Sequence, residues 1–346
     1  MASPSKIASG GRARRISSIS DQTVGVVGAG AFATALASVL STRDTAAILH
    51  SDDSDVVRDI NINHRNEARL PGVSLSKRVA ATSDLAELAG LCRLIVLAVS
   101  SRHVVRMARE LGGLLGEDHI VAHAVGALAG DDRRVSQILR DHTPVKEIAA
   151  LDGPALPRDL SARRACAVVA ASESDAALAT IKELLQVPAV LRVYKNRDLC
   201  GVELSAALAS ALTVAMGAAD GLGVGHGPRT VLLTRAAAEG ALLCRQSGGQ
   251  PATFYGLAGL GNLLARSSPE SRGDSEDYQL GVALARGEPP PRGETEGVRT
   301  LVTACRIADL LGLEVPIVRT VRDMVAGKLS AEQAADRLAA TETDLE

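Results

Sequence analysis

Aromatic residues are nearly missing from this chain of 346 residues, which has two phenylalanines, three tyrosines and no tryptophan. With so few rings there is no surface on which nucleic-acid bases could stack. The formal net charge is −2 and no long basic stripe interrupts the chain, so nucleic acid is disfavoured as a partner. The five cysteines, Cys92, Cys166, Cys200, Cys244 and Cys305, include no CxxC pair. That disfavours a disulfide framework and a zinc site, leaves no metal to expect, and points to a reducing compartment, the cytoplasm. No uncharged apolar run reaches the roughly 18 residues of a membrane span, so a soluble protein is expected. Acids are missing from residues 1–20, where Lys6, Arg12, Arg14 and Arg15 precede the first acid, Asp21. This stretch also lacks the apolar core of a secretory signal. It reads as a disordered tail, with an organellar transit peptide as the alternative.

What remains is long enough for two domains, each with its own core. The chain is organised around Val24 to Leu40. The apolar run Val24-Gly25-Val26-Val27 breaks at Gly28-Ala29-Gly30, and Ala31 to Leu40 has the composition of a buried helix. In a strand, glycine turn and helix of this kind, Gly28 permits the turn and Gly30 lets a pyrophosphate approach the backbone. Ala33 stands where the helix must lie close to the strand. The free N–H groups of the new helix would face the phosphates. A glycine-rich turn with no ligand is the alternative for so short a motif.

Ala46 to His50 reads as a second strand, followed by Asp52, Asp53 and Asp55. An acid at this distance beyond the glycines can hold both ribose hydroxyls and repel a 2′-phosphate, and Asp52 is the best placed. Equally, these acids can cap the next helix, whose periodic residues are Val56, Val57 and Ile60. Leu94 to Val99 is an uninterrupted apolar run, as for a parallel strand buried on both faces. Ile120 to Ala124, Val145 to Leu151, Cys166 to Ala171 and Val190 to Tyr194 are further strand candidates, with a helix around Asp175 to Leu185. The alternation predicts a doubly wound, mostly parallel α/β domain over residues 21–196.

Beyond Asp198 the pattern changes. Helices fit Glu203 to Gly217, Arg229 to Ser247, Ala252 to Ala265, Gly297 to Leu311, Ile317 to Ala326 and Ala331 to Ala339. An all-α domain over residues 197–340 is expected, with Ser267 to Asp277 and Gly287 to Glu294 as surface loops.

A series of local motifs, in one order, resembles the NAD(P)-dependent glycerol-3-phosphate dehydrogenase family from about Thr23 to Leu338. They are GAGAFATALA at Gly28 to Ala37, LPG at Leu70 to Gly72, Gly153-Pro154, GVEL at Gly201 to Leu204 and ADGLGVG at Ala219 to Gly225. Thr234-Arg235, YGLAGLGNL at Tyr255 to Leu263, Ser271-Arg272 and ETEGVRT at Glu294 to Thr300 follow. The resemblance implies a Rossmann fold, a nicotinamide cofactor and reduction of the phosphorylated triose dihydroxyacetone phosphate, reversible to oxidation of sn-glycerol 3-phosphate, and it leaves room for a homodimer. Such a reaction needs a positioned nicotinamide, a cation or helix terminus for the phosphate, and a group that protonates the developing alkoxide.

Several positions depart from the family. Its lysine in a KGIE-like segment falls on Val125, and its acid/base lysine on Ala209. Its GLGDL aspartate is Asn262, the asparagine after Ser-Arg is Gly273, and the serine of its SGPS-like turn is Ala155. Neither Glu203 to Val214 nor Val121 to Leu128 contains a lysine, so a shifted alignment restores neither group. No catalytic residue is therefore assigned. The cofactor positions are better kept. The resemblance implies a cofactor site of Gly28, Ala29, Gly30, Ala31, Phe32, Ala33, Asp52, Pro157, Arg272 and Glu296, and a substrate site of Gly153, Ser271 and Arg272. Asp52 aligns with a family arginine useful for a 2′-phosphate, which favours NAD over NADP. Alone, Arg272 reads as a solvated charge and Glu296 as an acid at a helix start.

Three readings follow. In the first, the reaction survives with a replacement cation, for which Lys195, Arg235 and Arg266 are the candidates; an arginine replaces phosphate binding more readily than proton transfer. In the second, the chain is a pseudoenzyme that binds the cofactor as a regulator, scaffold or redox sensor. In the third it is a dehydrogenase or reductase for another substrate, with His123, His226 or Tyr255 as proton donor, although each also reads as a structural or surface residue.

Overall fold

A computed structural model describes residues 22–43, 45–130, 133–268, 275–289 and 294–340. The strands are β1 (Thr23–Val27), β2 (Ala46–His50), β3 (Val79–Thr82), β4 (Leu94–Leu97), β5 (Ile120–His123), β6 (Glu147–Asp152), β7 (Cys166–Ser172) and β8 (Leu191–Asn196). They form one eight-stranded sheet in the order β3-β2-β1-β4-β5-β6-β7-β8. Every neighbouring pair is parallel except β6 and β7. Val24 and Val26 of β1 and all four residues of β4 are fully buried, which explains why these runs are apolar without alternation. The strand order reverses between β1 and β4, and the crevice at their C-terminal ends is where an open α/β sheet takes its ligand. The helices of this half are α1 (Ala31–Leu40), α2 (Ser54–Arg58), α3 (Leu85–Leu91), α4 (Ser101–Gly112), α5 (Val135–His142), α6 (Pro157–Ser161) and α7 (Asp175–Leu185), with a π-helical turn at Asp59–Asn63.

After β8 the described residues are helical. They form α8 (Leu199–Leu222), α9 (His226–Gln246), α10 (Pro251–Phe254), α11 (Asn262–Arg266), α12 (Glu276–Arg286), α13 (Glu296–Leu311), α14 (Pro316–Val325) and α15 (Ala331–Ala340), with a second π-helical turn at Leu257–Gly261. Asp198 starts α8 by accepting the Gly201 N–H at 2.8 Å. Helix α8 is long and apolar enough to cross a membrane by length and composition, but its most apolar window is almost wholly buried inside the fold. It is apolar because it is central: α9, α12, α13 and α14 pack around it. Burying each of its leucines contributes about 1.5–3 kcal/mol. Helix α12 approaches especially closely, since a Cβ on Gly281 would lie 2.1 Å from the Val214 carbonyl oxygen.

Three expectations change, the first being the single helix expected over Ala252 to Ala265, which is broken into α10, the π-helical turn at Leu257–Gly261 and α11. Strand β3 is not anticipated, because the three apolar residues of VAAT, two of them alanine, are too short a run to mark a strand. The stretch Ser267 to Asp277 is not wholly a surface loop. Ser267 and Asp277 are buried, and Ser275 caps α12 by accepting the Tyr278 N–H. Asp277 belongs to α12 itself, whose acidic first turn masks its inward face.

Candidate active-site cleft

The glycine turn has the geometry that its sequence requires. Gly28 has a φ of +116°, and a Cβ there would sit 2.3 Å from the Ala98 carbonyl oxygen, so no other residue fits. Gly30 is the N-cap of α1 and is exposed, with open space where a Cβ would point. No side chain caps this helix and no acid occupies its first turn. Its N–H groups are thus available to an anion, which fits a dinucleotide pyrophosphate. Ala29, Ala31 and Phe32 are half-buried beside the turn, and Ala33 is buried against the sheet. Pro157 begins α6, which packs on α1, and is half-buried.

The acids after β2 divide their work. Asp53 caps α2, accepting the N–H groups of Asp55 at 2.9 Å and Val56 at 3.4 Å. Asp52 is therefore not needed as a cap. Its Oδ2 meets Arg106 Nη2 of α4 at 2.9 Å, and Arg106 also reaches Glu110 at 3.1 Å. Glu296, the first residue of α13, serves the N-terminus of α4, the helix that carries Arg106. Its Oε1 accepts the Ser101 N–H at 2.8 Å, and its Oε2 accepts the Ser101 hydroxyl. The carboxylate assigned to the cofactor is thus bound to the start of α4, where the helix dipole favours it.

The substrate side is built differently. Val125 and Ala209 are buried at 5% and 0% exposure within apolar clusters. Beside them converge Gly126 after β5, Asp152 at the end of β6, Ser210 in the middle of α8, and Asn262 and Arg266 on one face of α11. Arg266 Nη1 donates to Ser210 Oγ at 3.0 Å, and that hydroxyl donates to the Gly126 carbonyl at 3.1 Å. A Cβ on Gly126 would lie 3.4 Å from both Arg266 Nη2 and Asp152 Oδ2. Asp152 Oδ1 accepts from Asn262 Nδ2, and from the Gly153 N–H at 2.8 Å. Asn262 Nδ2 also donates to the Ala258 carbonyl at 3.0 Å, while its Oδ1 is buried with no partner among the described residues. Asp277 stands on the other side of Ser210 and accepts the Gly297 N–H at 2.9 Å. Burial pushes the carboxyls of Asp152 and Asp277 up from their ordinary value. For Asp152 the Arg266 guanidinium and the Asn262 amide oppose the shift, and for Asp277 the Thr295 hydroxyl and Arg266 do.

Of the candidate replacement cations, Arg266 is the one drawn into this cluster. Lys195 is exposed on β8, and Arg235 lines a separate apolar cavity of about 410 Å³ between α8, α9, α14 and α15. Ser271, Arg272 and Gly273 lie outside the described residues. Gly153 adjoins the cluster with a φ of +140°. Among the alternative proton donors, His226 and Tyr255 are exposed. His123 is buried, its Nε2 3.1 Å from Glu203 Oε1. Glu203 also accepts the Ser136 N–H at 2.8 Å and the Ser136 hydroxyl at 2.6 Å, and pairs with Arg134 at 3.2 Å. It thereby ties α8 to the sheet half. Burial raises its carboxyl, but His123 and Ser136 hold it below its ordinary value.

Asp152, Ser210, Asp277 and Arg106 join these contacts although sequence reasoning does not single them out, and Glu203 enters that reasoning only within the GVEL motif. The signal that was there is the four-residue spacing of Asn262 and Arg266, which puts both on one helix face.

Two family models match the chain: the N-terminus of NAD-dependent glycerol-3-phosphate dehydrogenase over residues 23–178, and its C-terminus over residues 198–336. The glycerol-3-phosphate dehydrogenase [NAD(P)+] of Citrifermentans bemidjiense is 34% identical over 320 residues, covering 90% of this chain and 95% of the relative. The second such enzyme of Sphingopyxis alaskensis is 34% identical over 317 residues, covering 89% and 93%. Among solved structures, glycerol-3-phosphate dehydrogenase from Coxiella burnetii superposes with a TM-score of 0.86 at 27% identity, covering 92% of this chain and 99% of that one.

Proposed function

The chain belongs to the NAD-dependent glycerol-3-phosphate dehydrogenase family, and from that premise we propose that it still binds a nicotinamide dinucleotide but has lost rapid reduction of dihydroxyacetone phosphate. In this reading residues 21–196 hold the cofactor and residues 197–340 complete the reaction pocket. The cofactor sits on Gly28 to Ala33, with its pyrophosphate at the start of α1. NAD is preferred to NADP because Asp52 offers a carboxylate to the ribose hydroxyls and repels a 2′-phosphate. The cytoplasm is its proposed location and a homodimer its proposed assembly.

The observation that carries the loss of activity is the burial of Val125 and Ala209 as apolar side chains where the family resemblance expects lysines. When bound, reduced nicotinamide supplies hydride, and the protein must supply a proton to the oxygen and positive charge to the phosphate. Neither Val125 nor Ala209 can hold or move a proton. Arg266 brings a guanidinium to the same place, but arginine is a poor proton donor at neutral pH. It is also already engaged by Ser210 and neighbours Asp152 and Asp277.

Two measurements test the proposal. Calorimetric titration should give NADH binding that Gly28→Ala removes, and NADPH should bind more weakly than NADH. Nicotinamide absorbance should stay flat when dihydroxyacetone phosphate and NADH are added together. Turnover at the roughly 1–10³ s⁻¹ usual for enzymes would reverse the assignment of the pocket.

A further inference from the structure

The apolar cavity of about 410 Å³ in the helical half is walled by four helices, each offering one face. The lining positions on α8, α9, α14 and α15 all follow the spacing i, i+3, i+4 and i+7, which sets them along one side of each helix for about 10 Å. On α8 and α15 most of them are alanine: Ala215, Ala218 and Ala219, then Ala331, Ala334 and Ala335. Helices that turn mainly methyl groups inward leave open the space that longer side chains would fill, and native interiors rarely leave so large a void. Helix α15 is nonetheless fixed in place, since Arg337 meets Asp323 of α14 at 2.9 Å. Ile317, Val321 and Met324 of α14 are buried, whereas Pro228, Val231 and Ala339 are exposed, so the cavity has an inner wall and a mouth. Its volume falls within the roughly 300–1,000 Å³ of small-molecule sites.

Arg235 is the one charged side chain lining this cavity among the described residues. It is half-buried and makes no hydrogen bond or ion pair among them. Glu239, one turn further along α9, feels its charge but directs its two oxygens at the N–H groups of Ile317, at 2.8 Å, and Val318, at 3.0 Å. The guanidinium is therefore left with five N–H donors in a fork that matches a carboxylate. An arginine can also lay its stem along an apolar wall and keep its head in water, with no ligand at all. That role shows no preference for the charge of a ligand. An apolar trough about 10 Å long beside an unpaired guanidinium instead suits an alkyl chain of medium length with an anionic head.

We propose that this cavity is a binding site for a soluble single-chain amphiphile with a carboxylate head, its alkyl chain lying between α8, α14 and α15 and its head on the Arg235 guanidinium. None of the lining residues belongs to the cofactor turn or to the cluster around Arg266, so occupancy of the cavity does not depend on whether the dehydrogenase reaction survives.

Decanoate and decyltrimethylammonium are suitable probes, sharing a chain and differing in the charge of the head. Calorimetric titration of the full chain should give one decanoate per chain, bound at least about tenfold tighter than the cation. The full chain is used so that Glu342, Asp344 and Glu346, which follow α15 outside the described residues, compete for Arg235. Octanoate should bind about tenfold more weakly than decanoate, because each buried methylene contributes about fourfold. Arg235→Gln should weaken decanoate about tenfold and erase its advantage over the cation, while Arg235→Lys should keep that advantage. Ala335→Phe, which fills the cavity from α15, should abolish binding of both probes, and it decides the matter if thermal unfolding shows that the Arg235 variants do not fold. The proposal is overturned by decanoate binding that does not saturate, by equal binding of the two heads, or by an affinity unmoved in the variants that fold. Dimers that bury this face and exclude decanoate would overturn it equally.

Discussion

The turn at Gly28 to Ala33 and the cluster around Arg266 are built on different kinds of chemistry. In the turn, function is carried by backbone: a φ of +116° at Gly28, an open Gly30 and the uncapped start of α1. In the cluster it is carried by side-chain charge, and there Val125, Ala209 and Asn262 are uncharged while Asp152, Arg266 and Asp277 supply the charges. A backbone site survives changes in neighbouring side chains as long as its glycines persist. A charge site does not, because each exchanged side chain changes both the field and the proton inventory.

The comparison is most open to attack through the reaction. If the cluster lacks a working acid/base group, turnover of dihydroxyacetone phosphate should lie at least roughly 10²–10⁴-fold below that of an active relative assayed in parallel. The double variant Val125→Lys, Ala209→Lys should stay silent, since Arg266 already occupies the neighbouring space and would repel both ammonium groups. Activity restored by the two lysines alone would show that the rest of the pocket is intact.

The next effect concerns what holds the two regions in register. Glu203 joins α8 to His123, Arg134 and Ser136 of the sheet half. Glu203→Ala leaves buried partners unpaired and should lower stability by about 3–5 kcal/mol, measured by urea denaturation. Its carboxyl is held below the ordinary 4.5, so the stability it contributes is present above that value and lost as pH falls through the lower folded value.

Glu239 offers the opposite sign within the helical half. It accepts the N–H groups of Ile317 at 2.8 Å and Val318 at 3.0 Å at the start of α14, yet burial pushes its carboxyl from 4.5 up to about 7. The folded state binds this proton more tightly than the unfolded chain. The contribution is therefore fully present below pH 4.5 and lost as pH rises through about 7, a change on the order of 3 kcal/mol. Thermal unfolding between those pH values should show the slope, and Glu239→Gln should flatten it without altering NADH binding.

The smallest effect sharpens the cofactor side. Asp52→Ala removes the carboxylate proposed to hold the ribose and frees Arg106, now 2.9 Å from it, to meet a 2′-phosphate. The NADH-to-NADPH affinity ratio should fall about tenfold, equivalent to about 1.4 kcal/mol. An unchanged ratio would mean that neither residue reads the adenosine ribose.

By itself the sequence determined the order of layers and the chemistry of the turn. A short apolar run such as Leu94 to Leu97, too short for a helix of its own, reads as a strand covered on both faces, and the change of period at Asp198 marks where helices take over. Gly28 and Gly30 announce their turn because glycine's backbone freedom is a local property, legible wherever the residue stands. It also showed that lysine is missing from two windows where the resemblance expects it. Tertiary structure alone decided which charges meet. Asp53 rather than Asp52 caps α2, Glu296 is taken up by the start of α4, and Arg266 reaches Ser210 while Asn262 reaches Asp152, 110 residues away. Those pairings depend on how β6, α8 and α11 pack against one another, and a charged residue carries no local mark of the partner that folding will bring to it.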